Sequence, residues 1–518
     1  MKPVKLLSGF MTVGFWTLTS RILGFAREIL IAAYIGPGPV LDAFVAAFRL
    51  PNMFRRFFAE GAFNAAFVPQ FSKRLESGED PQRFAQEAFN LLACAVLALV
   101  GLGMVFMPAL VWLTAEGFQG DARFDLTVGY GHVVFPYILF MSLAALFSGV
   151  LNATGRFAAA AAAPVMLNIL ACGAMVLGAA LGGEVITWLV WTIPVAGVAQ
   201  LALVWVATSR AGIHLRPGLP RINPAMRRLM RVALPAALAM GVTQVNLVVG
   251  QLVASDIENA VSWLFIADRL YQLPLGVIGV AVGIVLLPDL TRRLRGGDDT
   301  GAREALSRAG EFSLVFTLPS AVAFMAVPLP LISVLYERGA TGPEDVAAIA
   351  LAVAIYGAGL PAFILQKVLQ PLYFAREDTR SPFYYALFAM VVNAALAVGL
   401  KPLVGWVAPA IAASAAGWAM VALLWLGAGR MGEAARFDTR FYQRSLRALI
   451  AALVMGGVLY LGVQQFSWVF TLPSWRYLAL FGLVLAGGVI FFGTGQILGA
   501  FSLSELKSSL RRGKPPAN

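Results

Sequence analysis

Apolar residues fill the chain in blocks of about 18 residues or more, separated by short segments rich in arginine, glycine or proline. A block of that length crosses a hydrocarbon core of about 30 Å as a helix. The pattern predicts fourteen spans, at approximately 8–35, 40–72, 86–113, 128–151, 161–181, 186–208, 226–254, 260–290, 311–336, 346–374, 383–400, 408–429, 445–465 and 475–500. Composition agrees: 59% of residues are hydrophobic, 13% are charged and the mean hydropathy is +0.78. A soluble domain averages about 25% charged residues, so the chain reads as an all-α polytopic membrane protein.

Charge sets the expected orientation. Cytoplasmic loops retain lysine and arginine during insertion, and with the N-terminus inside they hold almost all loop cations, from Lys2 and Lys5 through Arg292, Arg293 and Arg295 to Arg511 and Arg512. The opposite side keeps only Arg123, Arg338, Lys401 and Arg476. Both termini are therefore expected in the cytoplasm, and the net charge of +12 is mainly a topology signal rather than a nucleic-acid footprint. Lys5 and the apolar stretch after it suit a signal peptide in length, but no small-x-small cleavage site follows, so an uncleaved first span is expected. Cys94, Cys172, His132 and His214 are isolated and predict no metal site, disulfide framework or cofactor.

The chain also repeats itself. Val68-Pro-Gln-Phe-Ser-Lys-Arg-Leu75 matches Leu287-Pro-Asp-Leu-Thr-Arg-Arg-Leu294, and Pro136, Thr154 and Asn168 correspond to Pro361, Thr379 and Asn393, both at a separation of about 220 residues. Parallel halves of this kind predict two six-helix lobes around a central cavity, the plan of an alternating-access transporter. The expected divisions are 1–210 for the first lobe, 211–430 for the second, and 431–518 for two extra helices with a basic tail. Gly24 marks a place where the first helix could bend, and Pro51 interrupts the second. Close packing is the expected role of Gly276, Gly279 and Gly283, and of the Gly495/Gly499 pair.

Against this apolar background, Arg21, Arg27, Glu28, Asp42, Arg49, Arg55, Arg56 and Glu60 fall inside the first two predicted spans. A charge near the membrane midplane costs at least about 2.5 to 3.5 kcal/mol, so such residues normally face a wet cavity and handle a charged cargo. Several cations in one cavity favour an anionic one.

These residues carry a family resemblance. Ser20-Arg-Ile-Leu-Gly-Phe-Ala-Arg-Glu28, Asp42-Ala-Phe, Arg49-Leu-Pro-Asn-Met-Phe-Arg-Arg-Phe-Phe-Ala-Glu-Gly-Ala-Phe63 and Ser262-Trp-Leu-Phe-Ile-Ala-Asp-Arg-Leu270 resemble the MurJ (MviN) lipid II flippases of the multidrug/oligosaccharidyl-lipid/polysaccharide exporter superfamily. The likeness covers essentially the whole chain. It implies a flippase of the bacterial inner membrane, carrying the undecaprenyl-diphosphate-linked disaccharide-pentapeptide of peptidoglycan synthesis outward, in contact with membrane lipids and with cell-wall synthesis machinery as a candidate partner. It also matches Arg21, Arg27 and Arg269 to the family's essential arginines, with Arg55 extending the basic cavity.

The cargo chemistry fits those residues. A diphosphate suits guanidinium groups, whose planar donor forks pair with phosphate oxygens and stay charged when desolvated. Ser20, Glu28, Asp42, Arg56, Glu60 and Asp268 are expected to support or gate: spacing the arginines, accepting from sugar or peptide groups, or, for Asp42, capping a helix or closing a gate. Glu28 stands where the family often has Asp, which leaves its pairing open. Export of anionic charge gains about 2.3 kcal/mol per charge per 100 mV from a potential negative inside, and no Walker A motif is present for ATP. Two rivals are weaker. A drug or other oligosaccharide exporter shares the bundle, yet a cationic-drug exporter would line its cavity with acids. A polyprenyl-linked glycosyltransferase needs a positioned catalytic carboxylate, and the short outside loops show none.

Overall fold

The computed structural model describes residues 3–55, 62–472 and 474–501, and leaves aside some side chains within those limits. Among the described residues there are nineteen α-helices and no strand. The first ten are α1 (Pro3–Tyr34), α2 (Pro39–Arg55), α3 (Ala62–Ser77), α4 (Pro81–Val105), α5 (Met107–Thr114), α6 (Ala122–Val134), α7 (Tyr137–Ala153), α8 (Phe157–Ala180), α9 (Val185–Arg210) and α10 (Pro224–Ser255). The rest are α11 (Ala260–Arg295), α12 (Asp299–Ala326), α13 (Pro328–Tyr336), α14 (Pro343–Phe374), α15 (Arg380–Val404), α16 (Ala408–Ala428), α17 (Thr439–Gln465), α18 (Ser467–Thr471) and α19 (Trp475–Ile497).

Every predicted span falls on a helix or a consecutive pair of helices. Nine stretches among the described residues are long and apolar enough to cross a membrane, and one of them, Arg380–Met431, holds both α15 and α16. The arginine-bearing helices α1, α2 and α11 are not among the nine. Pro51 does not end α2, which continues through it to Arg55. Gly24 likewise lies inside one unbroken α1.

By internal packing the chain forms two compact units, Met1–Ser262 with Arg338–Thr341, and Trp263–Glu337 with Gly342–Asn518. In the first, α1 lies along α8, α8 on α9, α9 on α7, α2 beside α6, and α10 against α3. Its core is aromatic: the Phe67 ring stacks on Phe71 and Phe84 at 5.5 and 5.6 Å, and Phe147 stacks on Trp205 at 5.3 Å. Such pairs contribute about 0.5–1.5 kcal/mol beyond the area they bury. Glycine makes room for the rings, since a Cβ on Gly103 would sit 2.1 Å from the Phe135 ring.

A short strap completes this unit. The Ala340 amide donates to the Ala33 carbonyl at 3.0 Å and the Thr341 hydroxyl to the Ala32 carbonyl at 2.7 Å, satisfying carbonyls that the end of α1 leaves open. The approach demands glycine on both sides: Gly36 (φ +70°) and Gly339 (φ +58°) adopt left-handed backbone, and a Cβ would meet the facing carbonyl oxygen at 2.5 and 2.0 Å.

In the second unit α14 packs on α16 and α16 on α15, the order seen for α7, α9 and α8. The repeat therefore survives in packing, and its marker residues Asn168 and Asn393 are each 6% exposed. Small residues again set the spacing, with Gly359 against Ser414 and Gly417 against the Phe363 ring. α12 carries α17, and α17 carries α19. At one end of the α12–α17 seam, buried Glu311 takes Arg308, Arg440 and Arg444 as ion-pair partners, and Arg308 also reaches Asp438. Gly499 is not part of a helix–helix motif. It lies beyond α19 in left-handed backbone (φ +68°), in the turn that folds Phe501 back onto Gly495.

Neighbouring glycines of α17 give a controlled test of this packing. A Cβ on Gly456 would lie 2.4 Å from Val322 of α12, whereas one on Gly457 meets nothing within 4 Å among the described residues. Gly456→Ala should lower stability by about 1–3 kcal/mol through overpacking, and Gly457→Ala should raise it by up to about 1 kcal/mol through helix propensity. Thermal unfolding of the two variants in one detergent checks the contrast.

Candidate functional site

The α1 face that carries the predicted arginines is built against α8. Ser20, Gly24, Arg27 and Glu28 recur at helical spacing and share one side of α1. Gly24 has no side chain, and Asn168 of α8 occupies the space, 3.6 Å from where a Cβ would stand. From there the Asn168 amide nitrogen donates to the Ser20 carbonyl at 2.9 Å and reaches the Ser20 hydroxyl at 3.4 Å. Its amide oxygen accepts from Arg27 Nη1 at 3.0 Å. Arg27 Nη2 donates to Glu28 Oε1 at 2.7 Å, with the two side chains 15% and 4% exposed. A charge held that far from water needs such partners, because an uncompensated one costs several kcal/mol.

Arg21 differs. It is half-buried on the same helix and makes no hydrogen bond or ion pair among the described residues. One arginine of the pair is thus fixed in direction, and the other has no partner among the described residues. At Gly24, α1 is continuous helix, and Asn168 packs there at ordinary van der Waals distance.

Arg269 belongs to the second unit. It is half-buried on α11, with its guanidinium 4.8 Å from the Phe265 ring centroid one turn earlier. Asp268 accepts from Gln272, one turn later. Tyr271 lies against Tyr356 and Phe363 of α14 at 4.8 and 5.5 Å between ring centroids. Arg55 is the last residue of α2 and is half-buried. Arg56 and Glu60 lie outside the described residues.

Asp42 forms a second polar centre in the first unit and is fully buried. Its carboxylate accepts from the Asn259 amide at 2.9 Å, the Ser262 amide at 2.8 Å and the Ser262 hydroxyl, and Arg123 stands 3.5 Å away. These donors come from the start of α11, the turn before it, and α6, so Asp42 caps the N-terminus of another helix rather than its own. Arg123 is only 7% exposed in its side chain, lies over the Phe118 ring and also pairs with Asp121 at 2.6 Å. Burial pushes the Asp121 carboxyl up, but Arg123's hydrogen bonds and charge outweigh it and hold the group below the usual carboxylate range.

Two residues of these centres have no place in the predicted site. Asn168 is visible in the sequence only as a mark of the repeat, and Arg123 only as a loop cation.

Solved structures place this architecture in a known class. A multidrug resistance MATE family transporter of the MOP superfamily in an inward-facing conformation superposes with a TM-score of 0.64 at 14% identity, covering 80% of this chain and 95% of that one. The fold is therefore that of the MOP-superfamily transporters. A solved structure of "Lipid II flippase MurJ, inward closed conformation" matches with a TM-score of 0.79 and 25% identity over 94% of this chain and 98% of its own. A family model described as "Lipid II flippase MurJ" matches residues 31–479. The "Probable lipid II flippase MurJ" of Rhizobium tropici is 46% identical over 463 residues, 88% of this chain and 87% of the relative. That of Rhizobium meliloti (strain 1021) is 43% identical over 520 residues, 98% and 97% of the two chains. The chain belongs to the lipid II flippase MurJ family, whose members are transporters and not enzymes.

The Asn168 contacts predict graded effects. Gly24→Ala should be nearly silent, because a methyl there makes ordinary contact, whereas Gly24→Leu should displace Asn168. Asn168→Ala should lower stability by about 1–3 kcal/mol, since Arg27 and the Ser20 carbonyl lose a partner. Denaturation of the three variants in detergent micelles measures this. Asp42→Ala should cost more, about 3–5 kcal/mol, because several buried donors lose their acceptor and Arg123 one of its two carboxylates.

Proposed function

We propose that the protein moves lipid II from the cytoplasmic to the periplasmic leaflet of the bacterial inner membrane, with both termini cytoplasmic, by alternating access. Lobes at 1–210 and 211–430 serve as the rocking bodies, and segment 431–518 borders the polyprenyl tail. Only the headgroup needs a hydrated route. Arg21, Arg27 and Arg269 bind its diphosphate, and Arg55 and Arg56 extend the basic surface.

The observation that carries this reading is the unequal state of the two α1 arginines. Arg27 is oriented by Asn168 and Glu28, while Arg21 on the same helix has no partner among the described residues. A structural ion-pair network would satisfy both. A site for a diphosphate holds one fork in place and leaves a cation for the ligand to neutralise. The membrane potential drives outward movement of the anionic headgroup at about 2.3 kcal/mol per charge per 100 mV.

Asp42 contributes a releasable latch. Its bonds to Asn259 and Ser262 hold the start of α11 in one state and exchange for water or other donors in the next. Glu28, Glu60 and Asp268 tune the cation field, and Ser20 anchors Asn168. The cell-wall synthesis machinery that consumes lipid II is the proposed protein partner.

The test is replacement of the resident flippase. In a bacterium depleted of its own, this chain should restore outer-leaflet lipid II. Arg21→Ala, Arg27→Ala and Arg269→Ala should each lose at least about 100-fold in rate at normal membrane levels, and the Lys variants should recover only part, because an ammonium lacks the fork. Full activity in all three Ala variants would remove the diphosphate assignment. Collapse of the potential should slow export by the wild-type chain.

A further inference from the structure

We propose that Lys367 of α14 binds a carboxylate on the peptide portion of the lipid-linked cargo, and so helps to select the headgroup. This rests on the flippase reading above and adds a second point of recognition to it.

Lys367 is exposed although it stands in a strongly apolar helix, and it has no hydrogen bond or ion pair among the described residues. Tyr356, Phe363 and Lys367 recur at i, i+7 and i+11 and therefore lie on one side of α14. Tyr356 and Phe363 meet Tyr271, which fixes that side as the one turned toward α11. Further along, the two helices do not close. Among the described residues, a Cβ on Gly279 of α11 would touch only the Lys367 stem, at 3.5 Å. By contrast, Gly359 and Gly417 in the same unit meet neighbours at 2.6 and 2.8 Å. The glycine thus opens a gap between α11 and α14 that the lysine stem enters, leaving its ammonium accessible.

The position argues for a carboxylate rather than the diphosphate. Gly279 is ten residues beyond Arg269, about 15 Å along a helix. A headgroup anchored by its diphosphate at Arg269 would extend along this face with its sugars and peptide. An ammonium is a compact point charge without the planar fork that favours arginine at phosphate, and a single carboxylate satisfies it. The competing role is snorkelling, since Lys367 is seven residues, about 10 Å, from the end of α14 at Phe374.

Full-length wild type, Lys367→Met, Lys367→Arg, Lys367→Glu and Arg269→Ala should be compared in proteoliposomes. The two probes are lipid II with free peptide carboxylates and the same lipid with those carboxylates amidated. Lys367→Met should slow the free-carboxylate lipid by about three- to tenfold, the scale of one ion pair, and leave the amidated lipid unchanged. Lys367→Arg should restore the rate, and Lys367→Glu should reverse the preference. Equal slowing of both lipids by Met and Glu variants, or no effect on either, overturns the proposal. Failure of the flippase reading is separate: wild type would then move neither lipid, or Arg269→Ala would move both at the wild-type rate.

Discussion

Arg27 shows how a guanidinium inside an apolar helix is compensated, and the structure does so with very few groups. Arg27 is held by one amide and one carboxylate, and the amide packs over position 24, one turn earlier on α1. Replacing either neighbour with an apolar residue would leave a charge in a medium where its solvation is poor. The same economy recurs at Asp42, where two main-chain amides, a hydroxyl and a guanidinium converge on one carboxylate. Burial at these points is tolerable because the neighbours of Arg27 are placed to accept and those of Asp42 to donate.

Between the polar centres, the bundle depends on close approach. Ring against glycine is the recurring device, with Phe135 over Gly103, Phe363 over Gly417 and Phe441 over Gly310. Association of helices in lipid gains little from the hydrophobic effect, so van der Waals contact between fitted surfaces has to supply most of it. The fit is looser at Gly279, where among the described residues a Cβ would meet only the Lys367 stem at ordinary contact distance.

The fold was largely legible. Block length and arginine placement located the helices, and the matched segments around Pro136 and Pro361 anticipated the recurring order of α7, α9, α8 and α14, α16, α15. Arg21 and Arg27 stood out because lipid-like sequence tolerates few cations, and Arg269 through the family resemblance of the segment around it. The partners did not. Asn168 lies 141 residues from Arg27, and its role depends on how α1 and α8 are rotated about their axes, which no local pattern specifies. Arg123 resembled any loop cation until the fold brought it within reach of a carboxylate far away in sequence. Gly24 is visible as a glycine between two arginines, but the packing of Asn168 against it is not.

The strap at Ala340 and Thr341 bears on how such a molecule can be divided. Residues 338–341 pack with the first unit although they are encoded between segments of the second, so the polypeptide is interlaced rather than serial. A gene cut at the unit boundary near residue 262 would yield an N-terminal product whose leading helix ends on bare carbonyls. If the two halves arose by duplication, this four-residue clasp is a point where one half came to draw on the other's sequence.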